Sequence, residues 1–325
     1  MLRALKLFLF GVLLQGGYFH GVNSLTFGVD VEKIRWLGIL QRIAIGYITA
    51  AFCEIWCSRI SGKDAGDGFL KNYYLHGIVI FSLSAVYLGL LYGLYVPDWQ
   101  FNVQQTSSSS SLDGYVLKTV QCGVRGDLGP ACNSAGMIDR YVLGIDHLYK
   151  KPAYRNLKEC RISKDGGVPD DSPSWCQAPF EPEGILGSLM AAVACIIGLQ
   201  FGHVLVYLEG HRDRLLHWLS YSVAILSLGL FLIFIGIPVN KQLYSMSYML
   251  LTTGSAGLTF CFLYLLVDVY GYRFLTFILE WTGRHSLSIF VLVTSNIAII
   301  FIQGFYWKDP KVNIVHWMIS LFVQN

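Results

Sequence analysis

Residues 185–208 read ILGSLMAAVACIIGLQFGHVLVYL, an apolar stretch without a single Asp, Glu, Lys or Arg. The hydrocarbon core of a bilayer is about 30 Å thick, and an α-helix of about 20 residues crosses it. The stretch therefore predicts a transmembrane helix. Further runs of this kind lie at residues 2–19, 34–56, 74–96, 218–237, 244–267 and 285–302. A last stretch, 312–323, is shorter and fits either an interfacial segment or a shortened final helix.

The composition of the whole chain agrees with a membrane protein. Of its 325 residues, 54% are apolar and 14% are charged, and the mean hydropathy is +0.50. Ordinary globular proteins carry about 25% charged residues, and a soluble protein of this size could not bury so much apolar surface. The net charge of +3 argues against a nucleic-acid partner, whose binding depends on phosphate neutralisation. The low charge and high aromatic content also exclude intrinsic disorder.

Hydropathy divides the chain into three parts. A first membrane block covers residues 1–96 with three predicted helices, a polar loop covers 97–183, and a second block covers 184–325 with four to five helices. The predicted fold is an all-α polytopic transmembrane bundle of about seven to eight spans with one long non-cytosolic loop. The first run also resembles a signal peptide, but no A-x-A cleavage site follows it, which favours a retained helix.

The distribution of Lys and Arg predicts the orientation of the bundle. With the N-terminus in the cytosol, the cytosolic short segments hold nine of these residues and the outer short segments hold five. Cytosolic loops of membrane proteins carry the excess of positive charge. We therefore expect a cytosolic N-terminus and a lumenal or extracellular loop 97–183. Residues 282–284 (TGR) separate the apolar pieces 274–281 and 285–302 and predict a break there.

Cysteine usage points the same way. Four of the eight cysteines lie in the polar loop: Cys122, Cys132, Cys160 and Cys176. An even number of cysteines in a loop outside the cytosol favours disulfides, which persist in oxidising compartments. Three pairings are open, and the sequence does not choose among them. A zinc site in the loop is less favoured because no C-x₂-C pair is present.

Arg42 is the strongest candidate for a functional residue inside a predicted helix. It lies about eight residues into the run 34–56, or about 12 Å from its end, and ionisable groups at membrane depth are costly. We expect it to face the bundle interior beside Gln41, either as a site for phosphate or carboxylate or as a structural partner of backbone carbonyls. His20, at the outer end of the first run, is a weak candidate base, and an interfacial position is the simpler interpretation.

Polar residues of the loop and of the outer turns form a second group of binding candidates. They are Asp139, Arg140, His147, Glu183, Asn240 and Lys241. For Glu183 the competing interpretation is structural, because acidic residues next to a proline suit a helix N-terminus. The sequence contains no nucleophile elbow, P-loop or metal-spaced pair of histidines, so the predicted site includes no metal.

Several of these segments together resemble one family. They are IRWLGILQR at 34–42, GMIDRYVLGIDHLY at 136–149, PEGIL at 182–186 and IPVNKQLYSMSY at 237–248, with weaker matches at 267–269 and 283–287. The set resembles heparan-α-glucosaminide N-acetyltransferase and its relatives, which are multi-pass membrane acyltransferases. The similar segments extend in order over nearly the whole chain, so chance similarity of apolar helices does not explain them.

The resemblance implies an activity. Enzymes of this family move acetyl from cytosolic acetyl-CoA to a terminal glucosamine amine in the lysosomal lumen. It thus implies acetyl-CoA as donor, an amino-sugar or glycan acceptor, the lipid bilayer as surroundings, and a lysosomal, vacuolar or other endomembrane location. Arg42 or Lys241 would be basic partners for the phosphates of coenzyme A. Self-association into a homo-oligomer is a further candidate interaction.

One departure from the family pattern affects the expected activity. The family's catalytic histidine lies in an upstream segment that this sequence does not contain, and His20 does not match it. We therefore expect either a shortened form of a longer enzyme, inactive by itself, or a non-catalytic relative; intact downstream motifs favour the first. A transporter or a non-catalytic subunit that binds an anionic or sugar ligand is the alternative function.

Overall fold

A computed structural model of the protein describes residues 2–15, 18–20, 27–29, 34–61, 67–104, 115–149, 157, 159–160 and 173–294. The helices are α1 (Leu2–Gln15), α2 (Ile39–Ser61), α3 (Asp67–Gly93), α4 (Ser134–Leu143), α5 (Ile185–Tyr207), α6 (His211–Phe234), α7 (Met246–Tyr264), α8 (Arg273–Arg284) and α9 (Ser286–Thr294). The strands are β1 (Tyr18–His20), β2 (Phe27–Val29), β3 (Trp99–Gln104) and β4 (Tyr115–Val120). They form two antiparallel pairs, β1 with β2 and β3 with β4.

Among the described residues, five helices are long and apolar enough to cross a membrane, namely α2, α3, α5, α6 and α7. They confirm the all-α polytopic class and the predicted runs that begin at 34, 74, 185, 218 and 244. Two of these helices begin earlier than hydropathy indicates, since α3 starts at Asp67 and α6 at His211. The run 285–302 is described only as far as Thr294, and 312–323 lies outside the described residues.

Two predicted boundaries in the first block are wrong. Helix α1 ends at Gln15, and Tyr18–His20 pairs with β2 instead of continuing the helix to residue 19; the two glycines that follow Gln15 in the sequence are poor helix formers. Helix α2 begins at Ile39 and not at 34, with the Arg42 N–H donating to the Gly38 carbonyl at 2.9 Å. Arg42 therefore lies in the first turn of α2, at the loop end of the helix and not about 12 Å inside it.

The predicted break in the last apolar run is present, slightly displaced. Helix α8 continues through residues 282–284 and ends at Arg284, and α9 starts at Ser286. The His285 N–H still bonds to the Trp281 carbonyl at 3.2 Å, so His285 caps α8 and separates it from α9. Gly283 lowers helix propensity at this point.

Helix α5 is the centre of the bundle. It packs against α2, α3 and α7, and half of its membrane-spanning window is buried. Met190, Val193 and Ile197 of α5 join Tyr87 of α3 and Met249 of α7 in one core. A helix that is apolar all round suits this position, because it is covered on several faces.

Helices α6 and α7 approach closely through small residues. A Cβ added at Gly254 of α7 would stand 2.9 Å from the Leu226 backbone nitrogen of α6, and one at Gly257 would clash with Ser222 Oγ. Lipid tails are as apolar as the helices, so helix association in membranes depends on this kind of close backbone packing.

The polar loop is folded against the end of the bundle where α3 ends and α5 begins. The structure pairs Cys122 with Cys132 and Cys160 with Cys176, which is one of the three pairings left open by the sequence. Helix α4 docks through Ser134, whose hydroxyl donates to the Leu91 carbonyl at the end of α3 at 3.0 Å. Around the strand pair β3–β4, Val96, Phe101 and Val120 form a small core of their own.

Candidate functional site

Arg35 is the centre of a charge cluster at the loop end of the bundle. Its Nε donates to Glu181 Oε2 at 2.9 Å, and its Nη2 contacts Glu181 Oε1 and, at 2.5 Å, Glu183 Oε2. The guanidinium also lies over the Tyr149 ring, 4.6 Å from its centroid. Such bidentate pairs fix the geometry of a carboxylate as well as its charge.

Burial shifts the pKa values of this ion pair. Burial disfavours the Arg35 charge, but hydrogen bonds and charge from Glu181 and Glu183 outweigh that penalty, so the pKa of Arg35 is raised. The Glu181 side chain is fully buried, and this burial raises its pKa even though Arg35 opposes the shift. Glu183 is 16% exposed and is therefore the carboxylate of the pair that a ligand can reach.

Arg42 stands beside this pair and joins three segments. Its Nη1 donates to the Pro182 carbonyl at 3.2 Å, and its guanidinium lies 4.5 Å from the centroid of the Tyr244 ring. Tyr244 has a backbone φ of 50°, which is uncommon for a residue other than glycine. Strained backbone of this kind concentrates at functional sites. Arg35, Arg42, Glu181, Glu183 and Tyr244 are referred to below as the loop-side cluster.

Asp139 connects α4 to the start of α5, next to the loop-side cluster. Its Oδ1 accepts a bond from the Ile185 N–H at 2.8 Å, and a Cβ at Gly184 would clash with its carboxylate, so a larger residue there would displace Asp139. Burial raises the pKa of Asp139 to about 7, although the bond from Ile185 opposes the shift. The side chain is fully buried, which makes it a positioning residue for the α5 N-terminus.

His147 fastens the segment that leads into α2. Its Nδ1 lies 2.7 Å from the Ile34 carbonyl oxygen, and its ring packs on Trp36 with centroids 5.9 Å apart. Ile34 and Trp36 flank Arg35, so this contact holds the arginine toward its carboxylates.

Two curated proteins are similar to this chain over most of its length. Human heparan-alpha-glucosaminide N-acetyltransferase is 27% identical over 274 residues, which cover 78% of this chain and 34% of that protein. The mouse protein of the same name is 27% identical over 274 residues, which cover 78% of this chain and 35% of it. The chain is a moderately distant homologue of these N-acetyltransferases. It spans about a third of the length of the relatives that it matches, and no protein-family model matches it.

Within this N-acetyltransferase homologue, the predicted candidates separate into two groups. Arg42 and Glu183 belong to the loop-side cluster, and Asp139 and His147 support it from behind. The remaining candidates make contacts outside the loop-side cluster. Arg140 stacks on Trp99 of β3, with its guanidinium 3.7 Å from the ring centroid.

Gln41, Asn240 and Lys241 are not brought into the cluster. Gln41 does not lie beside Arg42 in a shared site but is fully buried against α1, where a Cβ on Gly11 would clash with its amide. The Asn240 side chain accepts bonds from the N–H groups of Gln242 and Leu243 and so builds the turn before α7. The Lys241 side chain is exposed. His20 is in β1, and its side chain lies outside the described residues.

The sequence-based selection of site residues missed Arg35, Glu181 and Tyr244. Arg35 and Tyr244 stand in segments that resemble the family, and Glu181 directly precedes one. No local pattern marks them, because their partners are remote in the chain; Arg35 and Glu181 are separated by 146 residues. One signal in the sequence was usable. Arg35 lies at one end of the apolar run 34–56, and Glu181 and Glu183 lie just before the run that begins at 185, which suggests an ion pair between these two ends.

Proposed function

We propose that the protein is a membrane N-acetyltransferase of the heparan-α-glucosaminide type, with the loop-side cluster on the acceptor side of its active site. One observation carries the proposal. Three of the segments that resemble the family, around residues 34–42, 182–186 and 237–248, meet in the cluster through the contacts of Arg35 and Arg42. The convergence of remote segments that resemble one family on one polar point supports a functional site there.

The charges of the cluster suit an amino-sugar acceptor. A terminal glucosamine brings an ammonium group, which can pair with the partly exposed Glu183 carboxylate. Binding of this kind positions the nitrogen, which must lose a proton before it attacks a thioester. Arg42 offers a guanidinium held by one carbonyl bond and an aromatic ring, and it can accept an anionic group such as a phosphate or a glycan carboxylate.

The bundle also offers a groove for the donor. A cavity of about 670 Å³ lies between α5 and α7, with Tyr244 among its lining residues and Gly198, Gly202, Ala256 and Gly257 keeping it open along the helices. Ligand pockets in proteins have volumes of about 300–1,000 Å³. The small side chains fit an elongated group such as the pantetheine arm of acetyl-CoA. When bound, acetyl-CoA supplies the acetyl thioester.

We further propose a lysosomal, vacuolar or other endomembrane location with the folded loop in the lumen and the N-terminus in the cytosol. The two disulfides of the loop support this orientation, because disulfides persist in oxidising compartments. The family resemblance implies a catalytic histidine segment upstream of the region that this chain matches. We propose that transfer needs that segment together with the loop-side cluster.

The proposal is tested with membranes that contain the full-length protein, labelled acetyl-CoA and an oligosaccharide ending in glucosamine. We expect acetylation of the amine, and we expect Glu183→Gln to raise the KM for the acceptor by tenfold or more while the KM for acetyl-CoA stays unchanged. Glu280→Gln, at an exposed acid on α8, is the matched control. Full-length protein that acetylates no such acceptor would contradict the proposal, and solute uptake without acetylation would favour a transporter.

A further inference from the structure

A second polar cluster lies far from the loop, inside the transmembrane bundle. It brings together Glu54 of α2, His76 of α3 and His203 of α5, whose candidate ligand atoms all lie within 4.8 Å of one another. His76 is fully buried and His203 is 8% exposed. His203 is 18 residues along α5 from Ile185, or about 27 Å at about 1.5 Å per residue, so the cluster is separate from the loop-side cluster.

The side chains of this cluster meet at ion-pair distance but without the geometry of hydrogen bonds. The Nε2 atoms of His76 and His203 stand 3.4 Å and 3.1 Å from Glu54 Oε2. Yet Glu54 Oε2, both His76 nitrogens and His203 Nδ1 are buried with no hydrogen-bond partner in the described part of the chain. Buried polar atoms are nearly always bonded. Glu54 Oε2 and His76 Nε2 are two such atoms that face each other, which indicates a shared ligand.

The spacing of these atoms fits a tetrahedral metal ion. Zinc binds imidazole nitrogen and carboxylate oxygen at about 2.0–2.2 Å, which places neighbouring ligand atoms of a tetrahedron about 3.4 Å apart. The distances of 3.4 Å and 3.1 Å from the Glu54 oxygen agree with that edge. The His76 and His203 rings are inclined by 28° with centroids 5.6 Å apart, and the Nε2 atom of each faces the same Glu54 oxygen.

Two buried thiols extend the donor set. Cys53 and Cys57 lie one helical turn apart on α2, with sulfur atoms 3.9 Å from each other, and they form a second potential ligand group with His76. One thiolate and the Glu54 carboxylate together balance the charge of a divalent cation, which lowers the cost of placing the ion at membrane depth. Imidazole, thiolate and carboxylate are the usual ligands of zinc.

We propose that Glu54, His76 and His203 bind a divalent transition-metal ion, with zinc the best match, and that a thiolate of the Cys53–Cys57 pair is the fourth ligand. The site cross-links α2, α3 and α5, the helices that form the centre of the bundle. Glu54 is 34% exposed and provides the route of entry. The site is independent of the proposed acetyl transfer.

The test measures metal bound to the full-length protein, purified in detergent with a histidine-free affinity tag. The protein is equilibrated with Zn²⁺, washed with a weak chelator and analysed by elemental mass spectrometry. We expect about one zinc per chain in the unmodified protein, and zinc at the level of the detergent blank in Glu54→Gln and His203→Gln. His217→Gln, at an exposed histidine on α6, should keep its zinc.

A cobalt-loaded sample tests the fourth ligand. We expect the absorption band of a cobalt–thiolate bond, and we expect the band to vanish in the Cys53→Ser/Cys57→Ser double variant. Unmodified protein that retains no zinc overturns the site, and so does equal zinc in Glu54→Gln, a nearly isosteric change whose folding is checked by circular dichroism. A cobalt spectrum without the thiolate band overturns the assignment of the fourth ligand.

Discussion

We expect the stability of the loop end of the bundle to depend on Arg35. Its side chain is 12% exposed and neutralises a fully buried Glu181 beside a second carboxylate. Removing one partner of a buried ion pair costs about 3–5 kcal/mol, because the other charge stays buried. We therefore expect Arg35→Gln to lower the thermal unfolding temperature strongly at pH 7. The loss should be smaller at lower pH, because burial raises the pKa of Glu181 and the substitution removes the guanidinium that opposes this shift.

The exposed pair Arg284–Glu280 of α8 is the matched control for this prediction. Exposed ion pairs contribute little to stability, so Arg284→Gln should leave the unfolding temperature nearly unchanged at both pH values. Equal effects of the two substitutions would contradict the role assigned to Arg35.

Asp139 gives rise to a second pH dependence of the same sign, because burial raises its pKa as well. Its pKa is about 7 in the folded protein, above the ordinary 3.8. Between these values the folded protein binds more protons than the unfolded chain, so stability falls as pH rises from about 4 to about 7. Above about pH 7 the contribution of Asp139 to stability no longer changes with pH. Between the two pKa values the free energy of unfolding falls by at most about 1.4 kcal/mol per pH unit. We expect the unfolding temperature to fall less over this range in Asp139→Asn than in the unmodified protein; parallel profiles would argue against it.

At the scale of single elements, the α6–α7 pair depends on backbone contact. A Cβ at Gly254 would stand 2.9 Å from a backbone nitrogen of α6, whereas a Cβ at Gly89 of α3 meets nothing within 4 Å. Overpacking costs about 1–3 kcal/mol, so Gly254→Ala should lower the unfolding temperature measurably. Gly89→Ala should leave it unchanged or raise it, because alanine is the better helix former by about 0.5–1 kcal/mol. Equal behaviour of the two variants would mean that α6 and α7 are not closely packed.

For the whole molecule, the orientation in the membrane is the property to test. Leu117 of β4 is exposed, and Leu117→Asn creates a glycosylation acceptor with Thr119 on the loop. We expect this variant to gain an endoglycosidase-sensitive glycan in cells, because acceptors are modified in the lumen of the secretory pathway. Glu209→Asn/His211→Ser creates an acceptor between α5 and α6, at the opposite end of the bundle, and should stay unmodified. The reverse result would place the loop in the cytosol.

The sequence by itself determined the class of the protein and most of its helices. Long apolar runs such as 185–208 can satisfy their backbone groups in a bilayer only as helices, so composition and hydropathy were enough to predict the membrane class and five described spans. Local signals were weaker at helix ends. Arg42 illustrates this: its apolar neighbours placed it inside a helix, but α2 begins only at Ile39.

Tertiary structure alone decided which polar residues meet. Gln41 and Arg42 are neighbours in the chain, yet one faces α1 and the other contacts Pro182 and Tyr244. Arg35 and its carboxylate partners are more than 100 residues apart in the chain, and so are the two histidines of the second cluster. Hydropathy reports how apolar a segment is and carries no information on the rotation of one helix against another. That rotation follows from side-chain packing over the whole bundle, and it determines both polar clusters.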